Sequence, residues 1–319
     1  MTSVNLLLQN NEKLKLTLKK AAFFCERLKK CGYECYVVGG AVRDAIINKP
    51  IYDIDLATSA TPDETARIFS DLKTDLYGIK YGSVAVYLCG ERYEITTFRK
   101  ENGYCDKRRP DAVEFCNDIK TDLTRRDFTC NALAFDFSSG LIDCFGGIND
   151  IENKILRAVG DPQLRLYEDS LRILRALRFY SVLGFIPDER LQNAIYNLRE
   201  DVKFLSAERI YDEFKKILVG KYFYECFTRN YAVFSIILPE LFATNCGMAN
   251  SDEKETEIYA KKIAEPLKNF NEESFEVRFA VLFGRGDKNG ETAAINTLKR
   301  FNAGKKTIKA VETCFQGLL

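Results

Sequence analysis

Two carboxylates separated by one residue, Asp53 and Asp55, are the side chains in this sequence best suited to hold metal ions. They fall in Tyr52–Leu56, where acidic and apolar residues alternate, and this pattern predicts a β-strand. Side chains alternate along a strand, so both carboxylates would lie on one face, about 7 Å apart at the backbone. Such a pair could bind two divalent cations about 4 Å apart.

A glycine pair, Gly39 and Gly40, follows a predicted buried strand at Tyr36–Val38 and precedes a predicted helix at Ala41–Asn48. The amide groups and positive dipole end of a helix N-terminus favour phosphate, and Arg43 adds a charged donor in the first turn. Together with the acids, this arrangement suits transfer of a nucleotidyl group. A solvated acid pair beside an ordinary glycine turn is the alternative.

The composition excludes several kinds of chemistry. The 319 residues include no histidine, which removes Ser-His and Cys-His nucleophilic catalysis and a histidine general base. The eleven cysteines contain no paired C-x-x-C, so no zinc site is evident. The net charge of +1 requires any nucleic-acid binding to use a local basic patch. We expect a cytoplasmic protein without a membrane span and infer no protein partner.

Periodicity predicts a mixed α/β domain over residues 1–153 and a helical remainder. In the first part we expect helices at 6–30 and 61–72, a hairpin of strands 83–88 and 93–98, a basic loop at 99–110 and a last strand and turn at 142–147. In the second we expect helices at 168–183, 187–198, 206–218 and 222–238, a linker or exposed loop at 249–257, and no strand after Asp161.

Arginines form two further groups. Arg125 and Arg126 stand just before an apolar segment, where arginine can grip phosphate oxygens with two hydrogen bonds or simply cap a helix. In the second group the charged side chains recur every three residues beside a stripe of leucines. Its members are Asp169, Arg172, Arg175 and Arg178. A solvated charged face is the alternative interpretation, which the excess of arginine weakens.

One acid–arginine pair could select bases without a template. Cytosine and adenine both present an amino donor beside a ring-nitrogen acceptor, whereas guanine and uracil present the reverse. Asp169 would accept from the amino group and Arg172 would donate to the ring nitrogen. A mismatched base would leave buried polar groups unpaired, at about 1–3 kcal/mol each.

The segments GGAVRD, DID, RRDFTCNA and VGDPQLRLYEDSLRILRALRF resemble the class II tRNA nucleotidyltransferases (the CCA-adding enzymes) and the related bacterial poly(A) polymerases. The resemblance covers about residues 36–214. It implies an α+β fold: a polymerase-beta-type nucleotidyltransferase head at 1–153, a helical neck with the base-reading helix at 154–219, and a helical body with a short tail at 220–319 that binds tRNA at its acceptor stem and 3′ end. Tyr81 and Asn48 depart from the family, where histidine and glycine are frequent.

By this resemblance, Asp53 and Asp55 would bind two Mg²⁺ ions. Gly39, Gly40, Arg43 and Arg126 would contact the phosphates and sugar of ATP or CTP. The base would be read by Asp169 and Arg172, with the nucleotide site completed by Arg175 and Arg178. Glu94, on the predicted hairpin, is a possible third carboxylate, with an exposed strand glutamate as the alternative. A flexible loop would contain Arg108 and Arg109.

The function implied is template-independent addition of C, C and A to the 3′ end of tRNA, with release of pyrophosphate. Two alternatives share this chemistry: a poly(A) polymerase, and an enzyme that adds only CC or only A. A catalytically silent RNA-binding module is a third, although intact Asp53 and Asp55 argue against it. A metal-dependent phosphohydrolase is disfavoured because its paired His-Asp ligands would need histidine.

Overall fold

A seven-stranded mixed β-sheet occupies the first of two units, which spans Met1–Asp161; the second unit spans Pro162–Leu319. The computed structural model describes residues 12–103, 112–246, 253–270, 273–284 and 287–317. The division of the helical half at residue 219 stays a prediction. In the part of the chain described, no helix is both long enough and apolar enough to cross a membrane.

Strands and helices alternate along the first unit. The strands are β1 (Cys35–Val38), β2 (Asp55–Thr58), β3 (Lys73–Asp75), β4 (Ser83–Leu88), β5 (Glu91–Thr97), β6 (Arg99–Asn102), β7 (Ala112–Phe115), β8 (Leu133–Asp136), β9 (Gly140–Asp143) and β10 (Ile155–Leu156). The helices are α1 (Glu12–Lys30), α2 (Gly40–Ile46), α3 (Pro62–Ile68), α4 (Ile119–Thr124) and α5 (Gly147–Glu152). Short 3₁₀ turns occur at Ile79–Tyr81 and Thr129–Asn131.

The sheet has the strand order β3-β4-β5-β2-β1-β8-β9. Strand β2 is central: it pairs antiparallel with β1 and parallel with β5. Beneath β1 and β2 lies a cluster of apolar side chains that includes Val38, Ala57, Phe98 and Leu123. Val38 pairs directly with Asp55, and Ala57 lies two residues beyond it, so the Asp55 side chain is on the same face of the sheet as this cluster, at the end of the strand.

Two local predictions in this unit are confirmed. The helix expected at 61–72 begins as predicted, because Thr61 starts α3 with a capping box in which its side chain and that of Glu64 each accept a backbone N–H of the other residue, but it ends at Ile68. Strands β4 and β5 form the predicted hairpin through Cys89 and Gly90, both of which have positive φ. Positive φ at both central residues is the geometry that a two-residue hairpin turn requires.

Three predictions in this unit are wrong in part. The strand expected at Tyr52–Leu56 begins only at Asp55, because its partner β1 ends at Val38, which pairs with Asp55. The loop expected at 99–110 starts as β6, which pairs with β7 despite its polar sequence; Arg108 and Arg109 lie outside the described residues. The last strand is Gly140–Asp143, and the glycine pair that follows begins α5.

Helices form almost all of the second unit. They are α6 (Pro162–Glu168), α7 (Leu171–Leu183), α8 (Glu189–Asn197), α9 (Ala207–Leu218), α10 (Phe223–Arg229), α11 (Tyr231–Ile237), α12 (Pro239–Cys246), α13 (Glu253–Ala264), α14 (Phe275–Phe283), α15 (Lys288–Arg300) and α16 (Lys305–Gly317). Two 3₁₀ segments, Arg199–Phe204 and Glu265–Asn269, join them. The prediction of no strand here is wrong at one place, the two-residue β11 (Ile186–Pro187), which is too short to leave a periodic signal.

Two of the predicted long helices are divided in the structure. The helix expected at 222–238 breaks at Asn230, whose buried side-chain amide donates to the Cys226 carbonyl oxygen at 3.0 Å. The helix expected at 168–183 breaks after Glu168, so Asp169 lies between α6 and α7 rather than on a helical stripe. The expected linker at 249–257 is also wrong in part, because α13 begins at Glu253; residues 247–252 are not described.

Candidate active site

Asp55 occupies the first position of β2, between two neighbouring strands. It pairs with Val38 of β1 on one side and with Glu94 of β5 on the other. From Asp53 to Leu56 the residues alternate between exposed and buried, with Ile54 and Leu56 in the core. The two aspartates therefore share the solvent side of the chain as predicted, although Asp53 precedes the strand.

A third carboxylate lies beside this pair. Glu94 is directly opposite Asp55 in the parallel register, and such residues point to the same face of a sheet. Burial raises the pKa of Asp55, and the negative charges of Glu94 and Asp53 raise it further, against the opposing effect of Arg126. In the structure, Glu94 accepts a hydrogen bond from the Arg92 guanidinium at 3.0 Å. Its role as a metal ligand stays a prediction.

These carboxylates fit a hard divalent cation. Magnesium prefers oxygen ligands, and it commonly binds through one or two carboxylates while water and substrate phosphates complete its coordination. Among the described residues, no three acidic or thiol side chains converge as a complete metal cage. Burial, and after it the charges of Glu94 and Asp53, raise the pKa of Asp55, and a bound cation would offset both effects.

Gly39 makes room for an arginine. Its backbone has φ 72° and ψ −130°, and a Cβ placed there would lie 2.7 Å from the Arg126 Nη1 atom. Arg126 donates to Asp122 at 3.4 Å, whereas its Nε has no hydrogen-bond partner among the described residues. Burial lowers the pKa of Arg126, opposed mainly by the charge of Asp122. This guanidinium, with an unused buried donor and within electrostatic reach of Asp55, is suited to receive an anionic group.

Arg43 has a different environment from the one predicted. It is buried on α2 and donates to the Asp44 carboxylate at 2.8 Å and 2.9 Å and to the Asn131 side-chain oxygen. Asn131 in turn donates to Asp127 at 3.0 Å. Arg43 thus joins α2 to the 3₁₀ turn after Arg126, and its predicted contact with a nucleotide stays a prediction.

The predicted base-reading residues lie in the second unit. Asp169 accepts from the backbone N–H of Leu171 at 3.1 Å, at the start of α7, and from the Arg209 guanidinium at 3.3 Å. Arg172 is buried and donates to Glu168 at 2.6 Å and to the Arg165 carbonyl oxygen at 2.8 Å. Both side chains are held in defined orientations by neighbours within the unit.

Helix α9 supplies two residues that the sequence did not reveal as part of this stripe. Arg209 binds Asp169, and Glu213, one turn further along, accepts from Arg178 at 2.9 Å. Glu213 is buried, and its Oε2 atom has no hydrogen-bond partner among the described residues. Arg175 and Arg178 also lie over the Phe179 ring. In the sequence, the only indication of this role is that Arg209 and Glu213 carry opposite charges one helical turn apart. Pairs at that spacing are common on solvated helices, so the pattern does not identify these two residues.

The fold is of the polymerase-beta type, in which an α+β head precedes helical neck and body regions. Residues 35–157 match the family described as Poly A polymerase head domain. Residues 184–244 match the family described as Probable RNA and SrmB-binding site of polymerase A.

Individual relatives agree. The chain is 45% identical over 216 residues to a CCA-adding enzyme of Lactobacillus helveticus and 48% identical over 202 residues to one of Enterococcus faecalis. These matches cover 68% and 63% of this chain but 54% and 49% of the relatives, so the chain spans about half the length of the curated relatives it matches. The crystal structure of Bacillus stearothermophilus CCA-adding enzyme in complex with CTP superposes with a TM-score of 0.63 at 30% identity, covering 94% of this chain and 78% of that one.

The chain belongs to the family of class II tRNA nucleotidyltransferases and bacterial poly(A) polymerases.

Two glycines with similar positive φ, Gly39 and Gly146, allow a matched test of the Arg126 site. We expect Gly39→Ala to cost about 1–3 kcal/mol of unfolding free energy, because alanine is strained at this φ and ψ, and to weaken nucleoside triphosphate binding by displacing Arg126. Gly146→Ala is the control, since Gly146 also has a positive φ of 74° but a Cβ there meets nothing within 4 Å, so this variant should lose stability without weakening CTP binding. Urea unfolding and equilibrium titration with CTP measure both effects. Equal weakening of CTP binding by the two variants would contradict this role of Gly39.

The electrostatic strain at Asp55 predicts a pH-dependent stability. The pKa of Asp55 is raised in the folded state, so its ionisation costs folding free energy at neutral pH; this cost declines as pH falls through the folded pKa and is gone below the unfolded pKa. Without divalent cations, Asp55→Asn should be more stable than the unmodified protein at pH 7, and this advantage should shrink towards pH 4. Thermal unfolding across this pH range measures the difference.

Added Mg²⁺ should raise the melting temperature of the unmodified protein and have little effect on Asp55→Asn. Asp63→Asn, at an exposed acid on α3, is the control and should respond to Mg²⁺ like the unmodified protein. A melting temperature of Asp55→Asn that rises with Mg²⁺ as steeply as that of the control would place the cation elsewhere.

Proposed function

We propose that this protein adds C, C and A to the 3′ end of tRNA in the cytoplasm, using CTP and ATP and releasing pyrophosphate. The observation that carries this proposal is the position of Asp55, beside Glu94 and within electrostatic reach of Asp53 and Arg126, in a chain whose curated relatives are named CCA-adding enzymes. Two carboxylates with a nearby buried guanidinium provide for both the metal and the phosphate requirements of nucleotidyl transfer.

In this proposal, Asp53 and Asp55 hold two Mg²⁺ ions and Glu94 supports Asp55. Bound Mg²⁺ would lower the pKa of the attacking RNA hydroxyl and offset the charge of the triphosphate. Arg126 donates its unused Nε–H to a phosphate or sugar oxygen, and the glycine turn lets the nucleotide approach the backbone. Gly40 and Arg43 complete this side of the proposed site.

Base choice is assigned to the second unit. Asp169 accepts from the amino group shared by cytosine and adenine, and Arg172 donates to the adjacent ring nitrogen. Arg209 holds the Asp169 carboxylate at 3.3 Å, which fixes the direction of its acceptor oxygens. Arg175 and Arg178 complete the proposed nucleotide site, with Arg178 held by Glu213.

A poly(A) polymerase is the second candidate, because the matching head family carries that description. The two activities differ in the length of the product, since a poly(A) polymerase extends RNA by many adenylates whereas a CCA-adding enzyme stops after three nucleotides. Addition of only CC or only A would likewise appear directly in the product.

The decisive experiment supplies three tRNA transcripts: one lacking the whole CCA end, one lacking only the final A, and one with a random 3′ end. CTP and ATP are added singly and together. We expect three nucleotides on the first transcript, one A on the second and no addition to the third. Long adenylate tails would support the poly(A) polymerase instead.

The same assay tests the acids. Asp53→Ala and Asp55→Ala should each lower incorporation roughly a thousandfold, since each removes a ligand of a cation that stabilises several kcal/mol of developing charge. The exposed Asp63→Ala variant should match the unmodified protein. A folded Asp53→Ala variant that still adds CMP at the original rate would exclude this assignment.

Arg209 should affect base choice rather than nucleotide addition in general. We expect Arg209→Ala to reduce discrimination against UTP and GTP by about 5–150-fold, the equivalent of the 1–3 kcal/mol that an unpaired polar group costs, as Asp169→Ala should. Arg209→Lys keeps the charge and should restore part of the discrimination. Arg190→Ala, at an exposed arginine on α8, is the control. Competition between CTP and UTP on one tRNA measures the ratio, and an Arg209→Ala variant that excludes UTP normally would contradict the role.

A further inference from the structure

Arg125 precedes Arg126 in the chain but has a different environment. Its Nε and Nη2 atoms donate to the Oδ1 atom of Asp122 at 3.0 Å and 2.9 Å, and its Nη1 atom donates to Glu101 at 3.0 Å. All three nitrogens of the Arg125 guanidinium therefore donate to carboxylates of the same unit. Arg126, by contrast, has an unused Nε donor among the described residues. Of these two neighbours, Arg126 is the better placed to bind an anion.

Asp122 contacts both arginines, but unequally. It lies on α4 and is fully buried. Its Oδ1 atom accepts the two hydrogen bonds from Arg125 and a third, at 3.3 Å, from the backbone N–H of Arg99. Its Oδ2 atom accepts one hydrogen bond, from Arg126, at 3.4 Å. Because short charged hydrogen bonds are stronger than a single long one, Asp122 is paired mainly with Arg125.

Strand β6 fixes the direction of the Arg125 side chain. Glu101 of β6 is largely buried, and it accepts from Arg125 at 3.0 Å and from Arg99 at 2.7 Å and 3.0 Å. Arg99, on the same strand, supplies the backbone N–H that binds Asp122. The strand therefore contacts both members of the Arg125–Asp122 pair, and this pairing is set by tertiary structure.

The division of the Asp122 oxygens determines how much of the Arg126 charge remains for a ligand. A guanidinium that is bound by both oxygens of a carboxylate has its charge and its orientation taken up by that acid. A guanidinium bound through one nitrogen at 3.4 Å keeps donors for an anion. Without Arg125, the buried Asp122 carboxylate would retain Arg126 as its one guanidinium partner in the described part of the chain. Since an unpaired buried charge is costly, both of its oxygens would then bind Arg126.

We propose that Arg125 is a positioning residue for nucleotide binding: by occupying Asp122, it keeps Arg126 available to the phosphates of the incoming nucleoside triphosphate. This inference rests on the proposed function for the identity of that nucleotide. It assigns to Arg125 no contact with the substrate. It assigns to Asp122 control over how strongly Arg126 is held by the protein itself.

A double-variant cycle tests whether Arg125 acts through Asp122. The variants are Arg125→Gln, Asp122→Asn and the two combined, each change keeping a polar side chain while removing one charge. Arg157→Gln is the matched control, because Arg157 donates at 3.1 Å to another buried acid of this unit, Asp150, which binds Thr129 and not Arg126. Equilibrium titration with CTP gives Kd, initial rates give KM and kcat, and urea unfolding gives stability.

We expect Arg125→Gln to raise the Kd for CTP about tenfold, the scale of one charged hydrogen-bonding interaction, because Asp122 then binds Arg126. KM for CTP should rise by a similar factor, with a smaller change in kcat and an unchanged KM for tRNA. In the Asp122→Asn background, Arg125→Gln should change the Kd less than about twofold, since no carboxylate competes for Arg126. Arg125→Lys should restore part of the affinity, and the control should bind CTP normally.

Two results would overturn the proposal. One is a loss of CTP affinity from Arg125→Gln that is equally large in both backgrounds, because Arg125 would then act on the nucleotide directly or through its charge alone. The other is a folded Arg125→Gln variant that is less stable but binds CTP as tightly as the unmodified protein, because the pair would then serve stability only. If Arg125→Gln does not fold, Arg125→Lys replaces it in the cycle, and its loss of affinity should likewise vanish in the Asp122→Asn background.

The outcomes also separate this inference from the proposed function. If the cycle shows the expected coupling but the protein does not add C, C and A to tRNA, the positioning role stands and the function fails. If C, C and A are added normally and the cycle shows no coupling, the function stands and the positioning role fails. A protein that does not bind CTP would overturn both.

Discussion

The register of β2 between β1 and β5 is the constraint on which the candidate site depends. Asp55 is the first residue of β2 because Val38, its partner, is the last residue of β1. Beyond Val38 the chain turns at Gly39, whose positive φ leads into α2. One turn therefore ends a strand, sets the position of an acid, and leaves space for Arg126. A slip of one residue would exchange the side chains that β2 presents to the two faces of the sheet.

The same register places like charges close together. Parallel pairing sets Asp55 opposite Glu94, and burial reduces the water available to screen them. Arg126 offsets part of this repulsion, but its own charge is also poorly solvated. The site therefore contains acidic and basic side chains whose charges only partly compensate each other and are poorly solvated. A cation near the acids and an anion near Arg126 would compensate these charges. A magnesium nucleotide has two charged components of this kind.

The helical unit uses a different means to position polar groups. Its charged stripe is held from a neighbouring helix: Arg209 of α9 binds Asp169, and Glu213 of α9 binds Arg178. These pairs are partly buried, so screening by salt is weaker than at an open surface. A buried pair contributes little net stability, but it defines orientation because either partner alone would be an uncompensated charge.

Several features followed from the sequence because they depend on neighbouring residues. The start of α3 at Thr61, the hairpin at Cys89 and Gly90, and the helix that starts at the Gly39–Gly40 pair are set by local backbone preferences. Others were wrong because distant contacts overrode local pattern. The polar segment 99–102 became a strand by pairing with β7, and buried Asn230 interrupted a run with helical periodicity.

By itself, the sequence determined which chemistry is available: paired acids, a glycine turn and arginines in a chain without histidine, arranged in motifs that identify the family. Tertiary structure alone decided that Glu94 stands beside Asp55, that Arg126 lies against Gly39, and that Arg209 and Glu213 hold the helical stripe. The physical reason is that residue types and short spacings encode local geometry, whereas strand register and helix packing bring together residues that are distant along the chain.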